Sequence, residues 1–154
     1  MIEEESINAR EELKRADHLI YVSLKYTRTV DVITSIIARL ISAQQMTIDA
    51  LLEWLEKKKK LKNVDTSKPY KIKVELIRGK LKKDENIIEF LDFYDYLMKI
   101  MKAEHLKKEE FRKNVRLIAQ DKSGNIIDEV GIEVLKEYYK KVCNQMDNIE
   151  KIMK

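Results

Sequence analysis

Two histidines, one cysteine and a surplus of cations are the groups in this chain from which chemistry could be built. A zinc site needs several His, Cys, Asp or Glu ligands at short, regular spacing. His18 and His105 lie far apart, and Glu104 adjoins His105 instead of falling three or four residues away. A cysteine nucleophile needs a positioned base, and no motif supplies one for Cys143. One cysteine cannot form an internal disulfide, so a reducing cytoplasm is the expected compartment. Three scattered glycines cannot build a phosphate-cradling loop. Carboxylates are plentiful, but runs such as Glu3-Glu4-Glu5 and Glu109-Glu110 have the composition of solvated helix faces. Arg15, Asp17 and His18 make one polar cluster that could sit at a helix crossing or line a groove. With no catalytic motif, the expectation is a non-enzymatic protein with no cofactor and no metal ion.

Anion binding is the chemistry with the most residues behind it. Between Lys57 and Lys83 the chain holds twelve Lys or Arg against two acids, Asp65 and Glu75, while the whole chain is only +4. A mildly acidic body therefore carries one basic insert, a charge asymmetry that points to an anionic partner. The candidate nucleic-acid contacts are Lys57, Lys58, Lys59, Lys60, Lys62, Lys71, Lys73, Arg78 and Lys80. Phosphate binding strengthens with the number of phosphates neutralised. Base stacking would need aromatic residues among the cations, and the insert holds only Tyr70. Two other readings stand beside RNA or DNA. One is an acidic protein partner. The other is a solvated surface, with Lys57 to Lys60 offsetting the negative end of a helix dipole.

At 154 residues one domain is expected, with the insert at 57–83 inside it. Few glycines and one proline argue for long helices over a sandwich or barrel. A first helix is read from Ser6 or Asn8 to Tyr26, with Asn8 and Glu11 as a possible capping box. Leu13, Ala16, Ile20 and Leu24 form its stripe, and Leu19 and Val22 widen it. The β-branched cluster at Thr27, Thr29 and Val30 marks a break. A second helix, from Val30 to Lys59, is apolar around so much of its circumference that it must touch several neighbours. Asp31, Arg39, Gln44, Gln45 and Asp49 interrupt it, so it is not a membrane span. The N-terminus has no basic and apolar stretch of the kind a signal peptide needs.

Tyr70 to Leu81 fits both an alternating strand and a helix; helix is preferred because Pro69 suits a first turn and no strand partner is near. Glu85 to Lys102 reads as a helix starting at an Asp84 cap, with Ile87, Leu91, Tyr94, Met98 and Met101 inward. Residues 111–130 read as a β-hairpin around Asp121-Lys122-Ser123-Gly124, against a competing short helix through Phe111, Val115 and Ile118. A last helix from Gly131 to Met153 carries a seam stepping three and four residues, from Ile132 through Leu135, Tyr139, Val142, Met146 and Ile149. The expected fold is thus mainly α: an antiparallel helical bundle with one small β-hairpin before the C-terminal helix.

The excess of apolar seam on the second and last helices suggests a homodimer, with Arg39 and Gln44 as polar residues fixing register at its interface. The stretch Arg15-Ala16-Asp17-His18-Leu19-Ile20-Tyr21-Val22 also bears on this. With Glu110-Phe111-Arg112-Lys113-Asn114-Val115, it resembles an archaeal helical-bundle family that looks distantly HEPN-like. That resemblance implies an antiparallel bundle that commonly dimerises, and in some members an RNase with Arg, four to six residues, then His. Two residues separate Arg15 from His18 and seven separate Arg10 from His18, so no catalytic residue carries over. The primary expectation is a homodimeric, non-enzymatic interaction module. A nucleic-acid-binding protein using the insert comes second and a HEPN-like RNase third.

Overall fold

The computed structural model describes residues 2–58, 60–62 and 64–154. Helix α1 (Ile2–His18) runs into a π-helical turn (Leu19–Ser23) and a short α2 (Leu24–Tyr26). Helix α3 (Val30–Lys57) follows, then α4 (Tyr70–Lys80) and α5 (Glu85–Lys102). Strands β1 (Glu104–Lys108), β2 (Arg116–Gln120) and β3 (Ile126–Val130) precede α6 (Ile132–Met153).

Helix α3 is the axis of the bundle. Thr29 caps its start by accepting from the Val32 N–H. Leu40, Ile48, Leu51 and Leu55 are fully buried along one side, and Ile36, Ala43 and Ala50 close another. Truncating a leucine in such a core typically costs about 2–5 kcal/mol. After the break at Thr27–Thr29, α3 returns along α1, and Ala9, Leu13 and Ala16 of α1, Ile20 of the π-helical turn and Leu24 of α2 are buried. The proposed Asn8 capping box is absent because the helix begins at Ile2, well before it. In the π-helical turn the Leu24 N–H reaches Leu19 O, five residues back. Within it Leu19 packs on the core, whereas Val22, expected to widen the stripe, is exposed.

Helix α6 closes the bundle with Leu135, Val142, Met146 and Ile149 buried, so its seam is used within one chain. Arg10 on α1 ties down its end, 2.6 Å from Asp147 and 3.0 Å from Glu150. Helix α5 starts at Asp84, whose carboxylate accepts from the Ile87 N–H at 3.2 Å. Phe90, Phe93, Leu97 and Ile100 join its expected inner face. Residues 70–80 are helical, and Pro69 sits at the cap.

The expected hairpin is present but is part of a three-stranded antiparallel sheet in the order β1-β2-β3. Its turn is as read: the Gly124 N–H donates to Asp121 O, and Gly124 has φ +82°. The Asp121 carboxylate accepts from Ser123 and Asn125 N–H groups, both at 2.9 Å. Strand β1 carries no apolar alternation and is held by pairing with β2, from Glu104 opposite Gln120 to Lys108 opposite Arg116. His105 turns back to α5, its Nε2 2.7 Å from Ile100 O, and so caps a helix end.

The segment after β1 is a tight loop with two residues in left-handed backbone, Glu109 (φ +55°) and Phe111 (φ +66°). It docks on the α2–α3 break. The Phe111 N–H donates to Arg28 O at 2.6 Å, and Glu110 Oε2 accepts from the Val30 N–H at 3.0 Å.

Candidate nucleic-acid interface

The bundle divides the insert into cations that hold the fold and cations that face water. Lys73 belongs to the first group. It is 3% exposed, and its Nζ lies 2.7 Å from Asp49 Oδ1 and 4.3 Å from the Tyr70 ring centroid. The Tyr70 hydroxyl donates to the same carboxylate at 2.7 Å. Burial, helped by Asp49, raises the Tyr70 phenol above its ordinary value. Arg78 is likewise engaged, 2.7 Å from both Asp92 and Asp95 on α5. Neither Lys73 nor Arg78 is therefore available as a phosphate contact. Apart from Glu75, 3.9 Å from Arg78, their acid partners lie on α3 and α5, beyond the insert, where its local charge balance does not count them.

The second group is larger. Lys57 lies loosely beside Glu53, at 3.6 Å. Lys58, Lys60, Lys62, Lys68, Lys71, Lys80, Lys82 and Lys83 are exposed, and none lies within ion-pair distance of a carboxylate among the described residues, although Lys68 stands near Asp65. Lys60 stacks loosely over Trp54, 6.0 Å from its centroid. Lys59 lies outside the described residues. Lys71 is joined by cations that reading the insert alone misses. It lines a groove of about 540 Å³ between α4 and α5 with Tyr70, Tyr94, Lys99 and Lys102. Lys99 and Lys102 also line the adjoining groove, of about 320 Å³, which continues to Lys122 and Ile127. The Lys99/Lys102 pair at the end of α5 was the available signal, and it resembles an ordinary dipole-complementing helix terminus.

Two sets of residues read separately in the sequence come together at a third place. Glu12 on α1 is buried to 5% exposure and takes two guanidiniums: Arg15 Nη1 at 2.5 Å and Arg39 Nη1 at 3.1 Å. A carboxylate so buried needs such partners. Arg15, Arg39, Lys14 and His18 line a shallow groove above it. Asp17 does not join them. It faces α6, where its charge adds to the burial that raises the Tyr139 phenol and the Cys143 thiol.

Arg39 thus bridges α3 to α1 within the chain. Gln44 is 0% exposed in the core, so a second copy of this fold could not reach it. Its Oε1 and Nε2 have no protein partner among the described residues. Gln44 is therefore a core residue of the single chain and not an interface residue, whereas Arg39 pairs with Glu12 while its side chain stays 47% exposed. Among the described residues no group of three or more His, Cys, Asp or Glu is placed to hold a metal ion. No described helix is long and apolar enough to cross a membrane. No protein family, curated protein or solved structure matches the chain.

Proposed function

We propose that the protein binds nucleic acid through the phosphate backbone, using the exposed lysines of the insert. The observation that carries this reading is the set of insert lysines left without a carboxylate partner once Lys73 and Arg78 are engaged. Unpaired surface cations are screened by small counterions in the free protein, and a polyanion displaces those ions with a gain in entropy. Lys71, Lys99, Lys102 and Lys122 add cations along the two adjoining grooves, where they alternate with Glu75, Asp95, Glu104 and Asp121. The homodimer reading has less behind it, because the α3 and α6 seams that suggested it are packed inside one chain.

The test is fluorescence anisotropy with labelled single- and double-stranded RNA and DNA at about 50 and 200 mM salt, where phosphate contacts weaken steeply. A variant with Glu at Lys58, Lys62, Lys71 and Lys80 changes only exposed positions. Binding that falls with salt and drops at least tenfold in the variant is expected. Salt-insensitive binding, or equal binding by both proteins, would refute the reading.

A further inference from the structure

The end of α2 and the loop after β1, which docks on the α2–α3 break, carry the two most exposed rings of the molecule. Tyr26 is 79% exposed and Phe111 76%. Their backbones are joined at one point: the carbonyl that holds the Phe111 N–H belongs to Arg28, two residues after Tyr26. We propose that Tyr26 and Phe111 form a stacking platform for unpaired bases of single-stranded nucleic acid, with Lys25, Arg28, Arg112 and Lys113 contacting the flanking phosphates. This rests on the nucleic-acid reading and adds to it a strand preference and a second contact surface.

Three observations converge here. The first is backbone cost. A bulky residue in left-handed conformation is disfavoured, and Gly or Asn would sit there more cheaply. Phe111 keeps it at φ +66° while its ring gains almost no burial. Such local strain gathers where it serves a site. The second is anchoring. The Phe111 N–H to Arg28 O bond and the Glu110 cap on Val30 fix the loop to the start of α3, so the ring is held out on a rigid base. The third is charge. Glu110 is taken up by the Val30 N–H, which leaves Glu109 as the remaining acid of the loop. Against it stand Lys25, Arg28, Arg112 and Lys113, none within ion-pair distance of a carboxylate among the described residues, nor are Lys107 and Lys108 on the adjoining strand. Exposed rings interleaved with unpaired cations are what base stacking with backbone neutralisation requires. The charge also decides between occupants. A second copy docked here about a two-fold axis would bring these cations against themselves, whereas a polyanion complements them.

The test compares wild type with Phe111→Asn, Tyr26→Ser and the double variant. Asn tolerates the left-handed backbone, so Phe111→Asn removes the ring without adding strain. Circular dichroism checks that each variant keeps its fold. The probes are an unstructured single-stranded RNA 20-mer and a duplex of the same length. Each single variant is expected to lose about five- to fifty-fold in single-strand affinity, in the range of a stacked base. Duplex affinity should move less than twofold, and Phe111→Trp should restore single-strand binding. Undiminished single-strand binding by the double variant would overturn this inference alone. Equal losses on both probes would overturn it too, since phosphate contact would then be the whole role. Absence of any binding by wild type would overturn both readings. A dimer in light scattering that the double variant dissolves would overturn it in favour of a second copy of the chain.

Discussion

Replacing Gln44 with Leu should make this protein more stable, although it alters a fully buried residue of the central helix. Gln44 is 0% exposed, and neither Oε1 nor Nε2 has a protein partner among the described residues. Burying an amide without a hydrogen bond costs roughly 1–3 kcal/mol by protein substitution data. Leucine is close in size to glutamine, so the site is refilled without a cavity, and a swap of similar volume costs little. The net expectation is a gain of about 2 kcal/mol. Unfolding entropy for a chain of this length is on the order of 0.3 kcal/mol per degree. The corresponding rise in Tm is therefore roughly 6 °C. Thermal unfolding followed at 222 nm reads the shift. Urea unfolding with an unchanged m-value shows that it belongs to the native state. Gln44→Ala is the useful contrast, because it removes the amide but opens a cavity and should forfeit most of the gain. A Leu variant less stable than wild type would refute the reasoning: the amide would then be making bonds that hold the bundle.

Two further predictions concern charge and protonation. Asp49→Ala leaves Lys73 unpaired with its side chain 4% exposed, and should cost about 3 kcal/mol in urea unfolding. Arg78→Ala breaks pairs with Asp92 and Asp95, whose side chains are 62% and 55% exposed, and should cost less than about 1 kcal/mol; the reverse ranking would contradict the assignment of Asp49 as the latch of α4. Tyr70, Tyr94, Tyr96, Tyr138 and Tyr139 are all held above the ordinary phenol value, burial being the first cause of each, and Tyr139 is pushed up to about 12. Their neutral forms are favoured in the folded state. The stability they contribute is therefore complete below the ordinary pKa of 10.0 and is lost as pH rises towards 12. Absorbance at 295 nm should show these phenols ionising late and together with alkaline unfolding; simple titration near pH 10 with the fold intact would disprove it.

The parts of the fold that the sequence displayed are those with local causes. The α3 stripes, the Asp84 cap and the Asp121–Gly124 turn are each specified within a few residues, and each is present. What was hidden depends on distant partners. Strand β1 has an almost wholly exposed pattern, so only its pairing with β2 makes it a strand. Lys73 and Arg78 look like surface cations until α3 and α5 bring acids to them. The carboxylate that Arg39 pairs with, Glu12, lies 27 residues earlier on another helix, out of reach of any local pattern. The rings of Tyr26 and Phe111 are far apart in the chain, and no periodicity links them. The left-handed backbone at Phe111 has no signal in a residue type that usually avoids it.

The sheet has a consequence for how the molecule behaves when crowded. Among the described residues β1 and β3 each pair only with β2, so both outer strands leave backbone groups available to another chain. Open edges of this sort are templates for fibre growth. Here each outer strand is only five residues long. Glu104, Lys107 and Lys108 put charge along one edge, and Glu129 along the other, where Asp128 is held by the Tyr96 and Tyr138 hydroxyls. An irregularity between Ala119 and Gln120 breaks the register of the β2–β3 pair. A fourth strand would have to desolvate these charges and match a short, uneven template, so the edges act as gatekeepers against cross-β aggregation.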